Sequence, residues 1–412
     1  MLTEKRRCRL CKGARLETFL DLGEQPPANA FLRAEDLASE RRFPLSVARC
    51  ADCAFVQLRH AVDPDLLFRE YVYVSSTSPS FVRHFERYAR AMDERLGLSG
   101  AVTLDIGSND GVLVRPLRAL GAEAYGVDPA AAIAGRAAAQ GAPTVVGYFT
   151  EAFARRFADE RGKAKLITAN NVFAHIDDLD DIARGVKALL REDGLFVIEA
   201  PYLVDFLEQR LFDTVYHEHL SYLSVAPLVP FFQRFGLALV DVGHEPVHGG
   251  ALRLFVAHAG ARAFSSSAPS VAERVAREGA SGLGDAATFR RFAGAVEENK
   301  RALVELLAAL RAAGKRVAGY GAPAKGNTLL NHFGVGPETL DYIVDDNPLK
   351  QGLYTPGMHI PVVSALELER RRPDHLLILA WNFAQPVMES QRAFAERGGK
   401  FIVPVPTPTV IG

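Results

Sequence analysis

The sequence predicts an α/β protein in which a small N-terminal zinc-binding domain precedes two Rossmann-like domains. Three observations carry that expectation. All four cysteines of the 412-residue chain fall in its first 53 positions, as Cys8-x-x-Cys11 and Cys50-x-x-Cys53. From Ala101 the stretch AVTLDIGSNDGVLVRPLRALG runs from apolar strand to small-residue turn to helix, and GKRVAGYGAPAKGNTLLN repeats the pattern from Gly314. A chain of this length exceeds what one core organises. The expected division is a zinc-binding domain at 1–65, a helical connector contributing to the active site at 66–100, a ligand-binding α/β domain at 101–260, a helical linker at 261–300 and a second α/β domain at 301–412.

Composition narrows the function classes. A formal net charge of −1, from 48 basic and 49 acidic residues, argues against nucleic acid as the main partner. No apolar run approaches the ~18 residues of a membrane span. The start MLTEKRRCRL lacks an apolar export segment, so a cytoplasmic protein is expected, with no membrane partner. In that reducing compartment the paired CxxC knuckles read as zinc ligands rather than disulfides. Four thiolates close the coordination shell, which makes the site structural, and losing one is expected to cost stability more than catalysis. The 38 residues between the knuckles, including Pro26-Pro27-Ala28-Asn29, must fold on themselves.

Further along, Phe81, Phe85, Tyr88 and Met92 recur at helical spacing. Ahead of them Tyr71, Tyr73, Ser75, Ser76, Thr77 and Ser78 form a hydroxyl-rich segment that either caps this helix or lines a polar pocket, with Ser78-Pro79 as the cap. The turn at Gly107, Ser108, Asn109, Asp110 and Gly111 lets a ligand approach a helix start, and Asp128 ends the next strand where an acid accepts ribose hydroxyls. The turn lacks G-x-G-x-x-G, and Asp105 and Asp110 would repel a pyrophosphate. A cationic, phosphate-free adenosine fits better, which means S-adenosylmethionine. A fourth strand leads to Asn170, Asn171 and His175, and a fifth ends at Glu199, so residues 101–205 read as doubly wound.

The segment FDTVYHEHLSYLS follows the fifth strand on the cofactor side. Tyr216, His217, Glu218, His219 and Tyr222 supply a base titrating near neutrality with polar neighbours, although such clusters also occur as polar loops. If extended, it points Tyr216 and Glu218 one way and the two histidines the other. Around His248-Gly249-Gly250 two strands are expected, then a linker with an exposed helix at 264–280 and a helix from Ala286 to Ala313. In the last domain Gly319-Tyr320-Gly321 opens like a dinucleotide fingerprint, but Gly326 comes two positions late. Lys325 and Asn327 at the helix start would hold a phosphate, unless the domain serves stability alone.

Taken together, the knuckles, PPANAFL, DIGSNDG, NNVFAHI, YHEHLSYLS, HGGALR, GYGAPAKGNT and VDDNPLKQG resemble the sugar C-methyltransferases of deoxysugar biosynthesis, in collinear order over essentially the whole chain. The resemblance implies a central class I methyltransferase domain and a C-terminal Rossmann-like domain that helps hold a nucleotide-linked 4-keto-6-deoxysugar, dTDP-linked in many members and methylated at C3, with C5 as the alternative carbon. It implies His219 as base, with support from Glu218, Tyr216, His175 and either Tyr71 or Tyr73. Asp105, Gly107, Ser108, Asn109, Asp128, Asn170 and Asn171 would line the cofactor crevice. Tyr222, His248, Lys325 and Asn327 would meet the substrate, and Cys8, Cys11, Cys50 and Cys53 the zinc. One departure stands out: members carry glycine after each knuckle's second cysteine, and here Lys12 and Ala54 take those places. Competing readings are an O-methyltransferase, a nucleotide-sugar dehydrogenase or epimerase, and a non-enzymatic zinc-bearing binding module.

Overall fold

The computed structural model describes residues 1–69, 75–77, 79–247, 249–264 and 268–412. Tyr71, Tyr73, Ser78 and His248, all singled out from the sequence, lie outside the described residues.

The N-terminal strands Leu16–Gln25, Phe43–Cys50 and Val56–Leu58 pair antiparallel, and the sheet gains a fourth strand, Ser221–Tyr222, from far along the chain. The segment after the YHEH motif is therefore an edge of the N-terminal sheet.

The central sheet has seven strands in the spatial order Leu237–Glu245, Ala251–His258, Leu190–Pro201, Ala164–Asn170, Val102–Ile106, Glu123–Asp128, Thr144–Val146. The last five run parallel and the first two form an antiparallel pair. Near-continuous apolar strands such as Leu195 to Ile198, with no solvent exposure, are what a sheet covered on both faces requires. Helix Pro79–Leu96 covers one face through Phe85, Tyr88, Ala89 and Met92, which meet Leu113, Leu166 and Val197. A buried ion cluster fixes the same helix. His84 Nε2 lies 2.7 Å from Glu199 Oε1, while Arg253 grips Glu199 Oε2 at 2.6 and 2.9 Å. Burial alone would push the Glu199 carboxyl up, but these partners more than offset it and hold it below the usual carboxylate range.

The C-terminal sheet runs Val362–Val363, Leu340–Val344, Val317–Tyr320, His375–Ile378, Lys400–Val403, Thr409–Ile411, parallel except at the last pair. Helix Ala286–Ala312 joins it to the rest. Phe289 and Phe292 pack on Phe19 and Phe206, and Asn299 donates to the carbonyls of Pro404 and Pro406, both at 2.9 Å. Helix Pro269–Ala280 is largely exposed, as its composition predicts, with Val271 and Glu278 buried. In helix Pro269–Ala280, Glu278 is buried because its carboxylate accepts the N–H groups of Val225 and Ala226 at 2.6 and 2.8 Å, capping helix Val225–Arg234. Among the described residues no helix is long and apolar enough to cross a membrane.

Candidate active site

The YHEH segment sits between helix Leu203–Glu208 and strand Ser221–Tyr222, entered through the short helix Phe212–Thr214. It is a turn, not a strand. His219 N donates to Tyr216 O at 2.9 Å, which brings the two rings to 3.9 Å between centroids. The extended alternation that would oppose Tyr216 to His219 is thereby corrected. His217 points elsewhere: it is buried, its Nε2 is 3.2 Å from Phe43 O, and burial pushes its imidazole down to about 4. Glu218 is buried and accepts from Asn29 Nδ2 at 2.7 Å, so the N-terminal domain holds this carboxylate.

The orientation of His219 follows from one bond. Its Nδ1 lies 2.7 Å from Thr214 O. A carbonyl only accepts, so Nδ1 carries the proton and, in the neutral ring, the lone pair is on Nε2. The His219 ring stands 5.1 Å from that of His175, which stacks on Phe68. Burial, and secondarily the charge of His219, holds His175 well below the usual histidine range. A cavity of about 30 Å³, enough for one or two waters, is lined here by Asn171, His175, Tyr202, His219, Ser221 and Tyr222. The Tyr222 hydroxyl and Ser221 Oγ are buried with no partner among the described residues. Burial pushes the Tyr222 phenol up, so it remains a neutral donor.

At the ends of the central strands, Gly107 has φ +65° and a Cβ there would meet Val172 at 2.3 Å, so only glycine fits the turn. Asp128 accepts from Asn109 N at 2.9 Å and Ala130 N at 2.8 Å, leaving lone pairs on both oxygens. Asn109 Oδ1 accepts from Ser75 N at 3.0 Å, which ties the hydroxyl-rich segment to the turn. Burial pushes Asp105 up to about 7, although Thr168 Oγ1 donates to it at 2.6 Å and Asn170 Nδ2 approaches at 3.5 Å. Ser108 Oγ and Asn170 Oδ1 are buried without partners among the described residues. Carboxylates with unused polar atoms beside a turn that admits close approach fit a polar, cationic adenosine ligand.

The four cysteine sulfurs all lie within 4.8 Å of one another, with Cys8–Cys53 at 3.7 Å and Cys11–Cys50 at 3.6 Å. A tetrahedral ion with Zn–S bonds of ~2.3 Å has S···S edges of about 3.8 Å, so the cluster fits zinc. Lys12 and Ala54 adopt φ +65° and +62°, the left-handed positions where glycine is absent, at roughly 1 kcal/mol each. Lys12 Nζ donates to Arg9 O at 2.7 Å. Arg9, between the first two cysteines, is itself buried. It binds Leu58 O at 2.6 Å and Asp177 Oδ1 at 2.9 Å, bracing the strand that pairs with Ser221–Tyr222.

In the C-terminal domain Lys325 stands in the first turn of helix Ala324–Phe333, bonded to Asn382 and with Nζ 4.3 Å from the Trp381 ring centre. Burial pushes its ammonium down to about 8, with Asp213 opposing. Asn327 is turned the other way, which corrects its expected role at a phosphate. Its Nδ2 donates to Ala28 O at 2.8 Å, and the side chain is buried as a strut between domains. The sequence reading missed Asp213, Trp381, Thr328, Asn29 and Arg9. An acid inside the otherwise apolar run before YHEH, and the chain's single tryptophan, were the available signals.

Residues 8–68 match a zinc binding domain family, 81–242 a methyltransferase domain family and 246–406 the C-methyltransferase C-terminal domain family. C-methyltransferase NovU of Streptomyces niveus is 40% identical over 406 residues, covering 98% of this chain and 96% of that one. A ubiquinone biosynthesis O-methyltransferase of Azorhizobium caulinodans is 28% identical over 141 residues, 34% of this chain and 51% of that one. The magnesium protoporphyrin IX methyltransferase ChlM of Synechocystis covers 43% of this chain and 83% of its own at 16% identity and a TM-score of 0.35, too slight a likeness to argue from. On its three collinear domain matches and its full-length relative, the chain belongs to the C-methyltransferase family, as an S-adenosylmethionine-dependent enzyme with a zinc-binding N-terminal domain.

Proposed function

We propose that the protein methylates C3 of a nucleotide-linked 4-keto-6-deoxysugar, dTDP-linked, with His219 as the base. The observation that carries this reading is the Thr214 O bond to His219 Nδ1, because it fixes the tautomer whose Nε2 accepts a proton. A C–H beside a ketone is acidic enough for an imidazole once nearby donors stabilise the enolate oxygen. The proton passes from C3 to Nε2 while the C–H electron pair enters the enolate. The Tyr216 hydroxyl, neutral His175 and a tyrosine from Tyr71 or Tyr73 are the donors for that oxygen, and Tyr222 hydrogen-bonds the sugar. Asp128 accepts the ribose hydroxyls of the cofactor, and Asp105 and Asn170, whose side chains approach at 3.5 Å, would line the same crevice. When bound, S-adenosylmethionine supplies an electrophilic methyl group on sulfur. Lys325 takes the diphosphate of the nucleotide. Incubation with [methyl-¹³C]S-adenosylmethionine and dTDP-4-keto-6-deoxyglucose, followed by NMR, tests the assignment. A labelled methyl bonded to C3 is expected. A methyl ether, a methyl at C5, or turnover only with GDP- or CDP-sugars would overturn it.

A further inference from the structure

The Thr214 carbonyl that sets His219 belongs to a peptide bracketed on both sides by the C-terminal domain. On one side Trp381 Nε1 donates to Asp213 Oδ2 at 2.6 Å. Asp213 is wholly buried, facing Lys325, and burial pushes its carboxyl up. On the other side Thr328 Oγ1 donates to Val215 O at 3.1 Å. A buried carboxylate and a buried hydroxyl are costly unless their partners are in place, so these two bonds hold their geometry firmly. Between them the backbone has little freedom, and the direction of the Thr214 carbonyl is set. Local bonds alone do less: Thr214 N and Oγ1 both return to Leu211 O within the same short helix.

We propose that Trp381 and Thr328 are positioning residues for the catalytic base, so that the C-terminal domain, beyond holding substrate, fixes the tautomer and aim of His219. This rests on the reading of His219 as base. Displacing the carbonyl by even 1 Å releases Nδ1, lets the proton move to Nε2 and removes the acceptor from the sugar carbon.

Thr328→Val keeps the volume and deletes the hydroxyl, Trp381→Phe keeps an aromatic face under Lys325 and deletes the N–H, and Thr328→Ser restores the hydroxyl. Expected are kcat losses of about 10-fold for each deletion and about 10²-fold for the pair, with KM for both substrates within threefold of wild type. Thr328→Ser should recover most of the rate. Exchange of the sugar α-proton in D₂O should fall with kcat. ¹⁵N NMR, with the His219 resonances assigned by their loss in His219→Asn, should show a protonated Nδ1 in the wild type and a mixture of tautomers in the double variant. A double variant with wild-type kcat and tautomer, alongside an inactive His219→Asn, overturns this inference alone. Wild-type turnover in His219→Asn overturns the base assignment beneath it. A lower melting temperature with unchanged kcat per folded molecule reduces both residues to structural ones and also overturns it.

Discussion

The two glycine turns share one backbone plan and differ in charge. At residues 105–111 a strand meets three carboxylates, Asp105, Asp110 and, from the neighbouring strand, Asp128, all buried. At residues 319–327 the same strand, turn and helix present Lys325, with Lys350 close by, its Nζ on Ala322 O at 2.8 Å and 3.6 Å from Asp345. A helix start favours anions in both places. The first turn is lined by carboxylates, whereas in the second Lys325 and Lys350 stand beside Asp213 and Asp345, so on the proposed reading the one would serve a cationic ligand and the other an anionic one. Their helices differ as well. Val114–Ala119 is short, whereas Ala324–Phe333 spends Asn327 and Thr328 on other segments of the chain.

The sharpest way to break this comparison is to remove the acid from the first turn. Asp128→Ala should weaken S-adenosylmethionine by about 10²-fold or more, from two charge-assisted hydrogen bonds at roughly 1.5–3 kcal/mol each, and leave nucleotide-sugar binding unaltered. Calorimetry with both ligands reads this, and a parallel loss of sugar binding would mean the turns are not separate sites. Removing the base from the second turn should give the mirror result. Lys325→Met is expected to weaken the nucleotide sugar by about 10–30-fold and spare the cofactor. Lys325 titrates near 8 and binds a phosphate only when charged, so wild-type kcat/KM should fall as pH rises through 8. In Lys325→Met that limb should vanish; if it persists, another group carries it.

A third test lies in the zinc domain, which meets the second turn where Asn327 bonds Ala28 O. Sequence alone makes the zinc a matter of stability. The structure adds that Asn29 holds Glu218, that Phe43 O meets His217 and that Leu58 N donates to Leu220 O at 3.0 Å, so the knuckle domain braces the turn that carries the proposed base. Cys11→Ser should therefore lower kcat per folded molecule by about 3–10-fold besides lowering the melting temperature. Titrating folded fraction against rate separates the two effects. A fourth test, on stability alone, belongs to His217. Its imidazole titrates near 6.5 unfolded and about 4 folded, so below 6.5 the unfolded chain gains the proton first. Stability should fall as pH drops from 6.5 to 4, by roughly 3 kcal/mol in total. Urea unfolding of His217→Asn, which keeps a donor for Phe43 O, should lack this loss. An equal slope in both proteins would move the titration to another group.

Much of the fold was legible because periodicity is local. The apolar strands, the spacing of Phe85, Tyr88 and Met92, and the CxxC knuckles each read within about twenty residues. The site was legible in its residue types and less so in its directions. A turn rather than a strand at 216–219 depends on one backbone bond, and it reverses which side chains face His219. Whether Asn327 meets a ligand or Ala28 is decided by a contact 299 residues away, and Trp381 reaches Asp213 across 168. No local pattern encodes such pairs. The exposed helix expected near 270 is present, but the burial of its Glu278 was hidden for the same reason, since Glu278 finds its partners 52 and 53 residues earlier.

The base assignment is tested most directly by His219→Asn, which keeps much of the shape and removes the proton acceptor. Turnover should fall by about 10²–10⁴ while affinity for S-adenosylmethionine and for the nucleotide sugar stays near wild type. With S-adenosylhomocysteine in D₂O, the wild type should exchange the sugar α-proton and the variant should not. Near wild-type turnover in His219→Asn, together with inactivity of Tyr71→Phe or Tyr73→Phe, would contradict the account and move the base to a tyrosinate or to Glu218.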